Sequence, residues 1–577
     1  MPLLSPFFSS ASSAMGSRTP ISVGACLVCT AGEKVSNKPA AALPPTPIHS
    51  STSEEAAIEA TPEAAESTPE SRQAHRRASF TVLATVFVVA LCGLGYELLA
   101  GTVSSYFLGN TILQFSITIG VFLSAMGLGS YLSGKVTDNV LRVFLLSELG
   151  LALVGGFSSF FFFAVYTYLE HLFYYVFFGI LIFLGTLTGL EIPLLVRLYK
   201  EYGGWKLSLA KVLSVDYVGA LAASIIFPLL LLPYLGLMHA SFFFGLLNLL
   251  AGLWFAGFFR EELKLRFHHH ALIVLVSIAL LAGFAGSSRL VHFFENTMYT
   301  DEILTTQQTP YQRLVLTRYK DDLRLYIDGN LQFCSLDEYR YHEALVHPAM
   351  NAAGKRRKVL ILGGGDGLAV REVLKYSDVE SIRLVDLDPA VVKIARENLH
   401  LKKLNEGSLS DPRVEVIHAD AFQFLQNSEE FYDVILVDLP DPHNYSLSKL
   451  YSRHFYQLIS RRLEAQGVMC VQSTSPYYAG RTYWCIADTI TAAGFHIYPL
   501  HVNVPSLGDW GFVLASLKPL DKERLFDLQV PTKFLNEEQA RALFSFAADL
   551  QRPEVEINTL NNGQVVQYYD SDWGKWR

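Results

Sequence analysis

Charged residues are scarce in this chain. Only 17% of its 577 residues are Asp, Glu, Lys or Arg, against 51% hydrophobic ones, a balance too apolar for an ordinary soluble enzyme. The net charge of −8 comes without a basic stripe, which argues against a nucleic-acid partner. Cysteine is nearly lacking: Cys26 and Cys29 form a CxxC with no second pair or histidine partners, and Cys92, Cys334, Cys470 and Cys485 are scattered among apolar neighbours. That pattern gives neither a disulfide framework nor a metal site. The His268 to His270 run sits on a basic loop and reads as solvated or interfacial. No charged segment leads into an apolar core and small-residue site, so a cleavable signal peptide is not expected. The soluble part shows no internal repeat.

What is abundant is apolar length. Residues 1–78, rich in Ser, Ala, Pro and Glu, read as a disordered tail. Residues 79–290 then hold runs at about Phe80–Leu99, Thr111–Ser133, Val143–Tyr166, Leu172–Leu195, Leu213–Leu235, Ala240–Phe259 and Ala271–Ala285. Each is near the ~20 residues that cross a bilayer, predicting a transmembrane domain of about seven helical spans with lipid as a partner. Glu97, Glu148, Glu191 and Asp216 lie in or near these runs, where acids are costly and face a bundle interior or water, and together they could bind a polyamine cation; a place near the interface or pairing with Lys and Arg at span ends is the equal alternative. Arg72, Arg76, Arg77, Lys135, Arg142, Arg197, Lys200, Lys206, Lys211, Arg260, Lys264 and Arg266 mark alternate loops as cytoplasmic. An odd span count then puts the rest of the chain outside. The expectation is instead a multi-pass protein of the cell membrane with a cytoplasmic catalytic domain, which requires one miscounted or re-entrant segment.

The soluble half carries the chemistry. Val359–Leu362 reads as a buried strand, Gly363–Gly367 as a glycine turn and Leu368–Lys375 as a helix start, the order that binds nucleotides in doubly wound folds. Asp366 stands where a phosphate binder avoids an acid, so a nucleoside fits better than a dinucleotide. Further strands are Ile382–Val385, ending in Asp386, Val414–His418, running into Asp420 and Ala421, and Tyr432–Val437, running into Asp438-Leu439-Pro440-Asp441-Pro442. Acids delivered to one carboxyl edge point to a cationic substrate. Lys449–Leu463 has helical apolar spacing and reads as scaffold.

These residues, with TPYQRLVL (Thr309–Leu316), LYIDGNLQF (Leu325–Phe333) and DEYRYHEALVHP (Asp337–Pro348), resemble the spermidine synthase family of polyamine aminopropyltransferases, in its membrane-bound bacterial branch. The resemblance spans about Thr309–Ser516. It implies a small β-hairpin domain (300–350), an α/β Rossmann-like domain of the class I methyltransferase-like kind (351–520) and a carboxy-terminal extension (521–577). It implies decarboxylated S-adenosylmethionine as co-substrate and no cofactor or metal. Gln312 would lie near the methylthioadenosine part, Asp386 on the ribose, Asp420 and Ala421 beside adenine, and Asp366 facing the aminopropyl ammonium. Tyr341, His342, Asp438 and Asp441, with Gln472, would meet the amine acceptor, putrescine in the best-known members, and Asp438 matches the proton acceptor. The chain departs from soluble members after Pro442, and near Val504–Trp510 it lacks their channel tyrosine; Trp510 as a replacement wall and Trp510 as plain core both stand open. A binding-only polyamine transporter or sensor and an S-adenosylmethionine-dependent methyltransferase are the alternatives. The sequence leaves homo-oligomerisation open.

Overall fold

The computed structural model describes residues 69–577 apart from 109–110, 201–204, 265, 300 and 577. The expected disordered tail, with Cys26 and Cys29, lies outside the described residues except for its last ten, which already belong to helix α1. Among the described residues, six helices are long and apolar enough to cross a membrane, with mean hydropathy of 1.7–2.2. They are built from α1 (Pro69–Leu108), α2 (Thr111–Ser133), α3 (Val140–Tyr168), α4 (Phe173–Lys200), the joined pair α5 (Trp205–Ile226) and α6 (Leu232–Phe258), and, after a single turn α7 (Arg260–Leu263), α8 (Phe267–Met298).

The joined pair accounts for two of the seven apolar runs. Leu209–Phe258 would be ~75 Å long if straight, but a five-residue π segment, Phe227–Leu231, and Gly236 at φ 69°, ψ 178° break it. Glycine adopts that positive φ without the strain of a Cβ. The chain reverses there. Gly219 packs on Phe87 and Ala90 of α1 while Phe227 stacks on Phe244, which faces Gly95, so α5 runs along α1. On α6, Ser241 hydrogen-bonds Gly155 and Gly156, Gly245 meets Ala152, and Gly252 meets Glu148, so α6 runs against α3. Seven arms of 22 residues or more therefore pass between two ends of the bundle. Leu221, Leu229, Leu250, Leu275 and Ile278 point outward, each at least half exposed, an apolar surface too extensive for a monomer in water.

Lys135, Arg142, Arg197, Lys200, Arg260, Lys264 and Arg266 lie at helix ends on one side of the bundle, while α8 delivers the soluble part at the other. The re-entrant segment that a cytoplasmic catalytic domain requires is not found among the described residues. The connection between the two parts is short: α8 continues to Met298 and the first strand starts at Glu302. Arg313 pairs with Glu295 across this joint.

The soluble part begins with a four-stranded antiparallel sheet, β1 (Glu302–Gln308), β2 (Arg313–Tyr319), β3 (Asp322–Ile327) and β4 (Asn330–Cys334). Helix α9 (Glu338–Ala352) leads into β5 (Lys358–Gly363), α10 (Leu368–Leu374), β6 (Ser381–Asp386), α11 (Pro389–Glu397), α12 (Leu399–Leu404), β7 (Val414–His418), α13 (Ala421–Asn427) and β8 (Tyr432–Asp438). Strands β9 (Leu463–Gln472), β10 (His496–Val504) and β11 (Gly508–Ser516) complete a seven-stranded sheet of order β10-β11-β9-β8-β5-β6-β7, parallel except for β11. Val359–Leu362 and Val434–Val437 are fully buried, as strands covered on both faces require. The helix expected over 449–463 is shorter. It spans Arg453–Ser460 because Ser452 caps its start, and Leu463 opens β9.

Candidate active site

Order reverses between β5 and β8, so the loops after them diverge and open a crevice at the carboxyl edge. Gly363 and Asp438 are register partners at that point. A Cβ on Gly363 would stand 2.0 Å from the Asp438 carbonyl, and one on Gly365 would stand 2.5 Å from an Asp386 carboxylate oxygen. The two glycines let the strand ends close on each other and hold the acids at the edge.

Asp366 accepts a hydrogen bond from the amide of Leu368, the first residue of α10, at 2.9 Å. Asp386 accepts from the Gly365 and Asp388 amides at 3.0 and 2.9 Å. Asp438 accepts from the Tyr341 hydroxyl at 2.6 Å. Asp441 accepts from Gln472 at 2.9 Å and Thr474 at 2.8 Å, and Tyr569 reaches the same carboxylate. No lysine or arginine among the described residues pairs with any of the four. Burial pushes all four above the usual carboxylate range, Asp366 to about 6. The resident positive charge is His342. Burial alone would lower it, but the hydrogen bond and charge of Glu338, with Asp366 and Asp438 nearby, raise it to about 9.

Asp420 stands apart from this group. One of its oxygens caps α13 through the Phe422 and Gln423 amides, and the other pairs with Lys449 at 2.6 Å. Its carboxylate is held on the crevice wall, next to Ala421, with its charge already balanced. Gln472 is 3% exposed and donates to the Leu439 carbonyl as well as Asp441, so it holds the Asp438–Asp441 loop in shape. Gln312 donates to Asp388, a carboxylate that also accepts from Thr309 and caps α11.

Three contributors stand outside the residues singled out in the sequence. Asp388 ties the β1–β2 turn to the crevice. Glu338, chelated by Arg371 at 2.9 and 3.0 Å, charges His342. Tyr569 comes from the carboxy-terminal helix Gln564–Trp573. The DEYRYHE segment held the signal for Glu338; nothing local marks Tyr569. Trp510 lies 6.5 Å from Tyr341 between ring centres, and its buried indole N–H has no hydrogen-bond partner.

Residues 338–525 match the family model for the spermine/spermidine synthase domain. The chain is 46% identical to polyamine aminopropyltransferase 1 of Ralstonia nicotianae over 518 residues, 89% of this chain and 98% of that protein. It is also 46% identical to the polyamine aminopropyltransferase of Leptospira interrogans, covering 85% of this chain and 98% of that one. A solved spermidine synthase, in complex with the transition-state analogue AdoDATO, aligns with 48% of this chain and 89% of its own at 26% identity and a TM-score of 0.40. Matches of this identity over nearly the whole length place the chain in the spermine/spermidine synthase family, the polyamine aminopropyltransferases.

Proposed function

We propose that this membrane-bound enzyme moves the aminopropyl group of decarboxylated S-adenosylmethionine to putrescine or a related diamine. The observation that carries the reading is the crevice lined by Asp366, Asp386, Asp438 and Asp441 without a lysine or arginine counter-ion among the described residues: both substrates are cations, and four such acids attract them. Asp386 takes the ribose hydroxyls and Asp420 with Ala421 the adenine side. Asp366 faces the donor's ammonium. Asp441, shaped by Gln472, Thr474 and Tyr569, takes the distal ammonium of the acceptor and fixes its line of approach. The near amine, about 10.4 in pKa when free and so protonated at neutral pH, gives its proton to Asp438. Its nitrogen lone pair then forms a bond to the aminopropyl carbon. The carbon–sulfur bond breaks toward sulfur, and the sulfonium leaves as neutral methylthioadenosine.

Purified protein incubated with decarboxylated S-adenosylmethionine and a panel of diamines is expected to release methylthioadenosine. No release with any diamine would favour a transporter or sensor, and a homocysteine-type product from S-adenosylmethionine would favour methyl transfer. The pH dependence is specific. Asp366 is neutral below about 6 in the free enzyme, so affinity for the cationic donor falls as pH drops through that value and is full above it. Titrating donor binding between pH 5 and 8 checks this; an acid limb unchanged in Asp366→Asn would assign it elsewhere.

The bundle lies in the cell membrane. With its basic loops on the cytoplasmic side, the soluble domain stands on the opposite face, where the sequence expectation had it cytoplasmic. An alkaline phosphatase fused after Arg577 is expected to be active in intact cells, and an inactive fusion at normal protein levels would reverse the assignment.

A further inference from the structure

Four helices of the bundle converge on a polar cluster that the soluble-domain chemistry leaves unused. Glu148 on α3 and Glu191 on α4 are 0% and 1% exposed. They hydrogen-bond each other, and no other donor satisfies either carboxylate. Tyr96 on α1, within electrostatic reach of both, has a buried hydroxyl without a partner. So do the Thr188 hydroxyl, one turn before Glu191, and the Asn248 side-chain amide on α6. Asn248 stands one turn before Gly252, whose missing Cβ would sit 3.3 Å from the Cβ of Glu148. Asp216 on α5 adds a third carboxylate that Glu191 senses. Glu148 follows the start of α3 by eight residues and Glu191 precedes the end of α4 by nine. At 1.5 Å per residue that is ~12–14 Å from the basic end, near the middle of a ~30 Å hydrocarbon core.

Two adjacent carboxylates in so apolar a place cannot both stay ionised alone. A proton shared between them would still leave Tyr96, Thr188 and Asn248 unpartnered. No group of three His, Cys, Asp or Glu residues able to hold a metal ion occurs among the described residues. The cluster is rich in oxygen acceptors, and a primary ammonium carries three N–H donors and no acceptor. We propose that Glu148, Glu191, Tyr96, Thr188 and Asn248 bind one ammonium end of an aliphatic diamine or polyamine inside the bundle, with Asp216 attracting the rest of its charge. The inference rests on the reading that the soluble domain handles such amines, and extends it to a second site on the same chain.

The test uses the full chain in lipid nanodiscs, carrying Asp438→Asn and Asp441→Asn so that the crevice no longer holds amine. Radiolabelled spermidine and putrescine are the probes. Stoichiometric binding of at least one is expected, with a raised thermal unfolding midpoint. Adding Glu148→Gln and Glu191→Gln should weaken it by about tenfold or more, as loss of charged hydrogen-bond acceptors does, and Tyr96→Phe should weaken it less. No binding or thermal shift in the Asp438→Asn/Asp441→Asn chain overturns the proposal, as does binding unchanged by the two glutamine substitutions. Methylthioadenosine release is measured separately on the unaltered chain, so failure of catalysis and failure of this site are distinct results.

Discussion

Asp438→Asn is expected to lower methylthioadenosine release by about 10²–10⁴-fold, the range a positioned proton acceptor contributes. Asparagine keeps the shape and still accepts from the Tyr341 hydroxyl, which now sits 2.6 Å from the Asp438 carboxylate. What it loses is basicity. Burial raises the Asp438 pKa, while His342 and the Tyr341 hydrogen bond hold it back, so the carboxylate is readier than a solvated one to take a proton. Because Asp441 and its partners remain, acceptor affinity should change much less than turnover. A variant with the parent's kcat, or one whose whole loss appears in KM, would remove Asp438 from the proton-transfer step.

How far the sequence discloses this site depends on how local each interaction is. The strands β5 to β8 were readable because Val, Ile and Leu runs end abruptly in Gly or Asp; β7 begins and ends where the residue pattern puts it, and β8 runs one residue past Val437. The edge acids were readable for the same reason: each is the next residue after a buried run or lies within the following turn. Tyr569, Asp388 and Lys449 were not, because each meets its partner through chain reversals that leave no trace in neighbouring residues. Asp420 shows the consequence. Its place at a strand end is visible, but its pairing with Lys449 is set by the segment after β8. In the bundle, hydropathy gave the apolar runs, whereas the fold-back at Gly236 depends on one residue's backbone angles within an uninterrupted apolar stretch.

Arg371→Met is expected to destabilise the soluble domain by about 3–5 kcal/mol, the cost of stranding a buried charge when its partner is removed. Arg371 is 9% exposed and holds Glu338 with two hydrogen bonds, Glu372 at 3.0 Å and the Leu404 carbonyl at 2.8 Å. Glu372 also meets His347 and Lys375. Methionine fills similar space but leaves Glu338 and Glu372 each short of a cation. The pH dependence follows from the shifts. Burial alone would raise Glu372, but His347, Lys375 and Arg371 bring it from 4.5 to about 2, so its stabilisation is full above ~4.5 and is lost as pH falls through 2. His342 is raised from 6.5 to about 9, so its contribution is full below ~6.5 and is lost as pH rises through 9. Both are therefore complete between about 4.5 and 6.5, where the parent's unfolding midpoint should be highest as far as these groups decide it. Thermal unfolding of the full chain in detergent, followed by near-ultraviolet circular dichroism across pH, measures both effects. With Arg371 gone, Glu338 loses its bidentate partner and draws more strongly on His342, so the His342 titration should move further upward even as the domain weakens. An Arg371→Met chain as stable as the parent, with its alkaline limb unmoved, would show that this network neither supports the fold nor sets the charge beside Asp438.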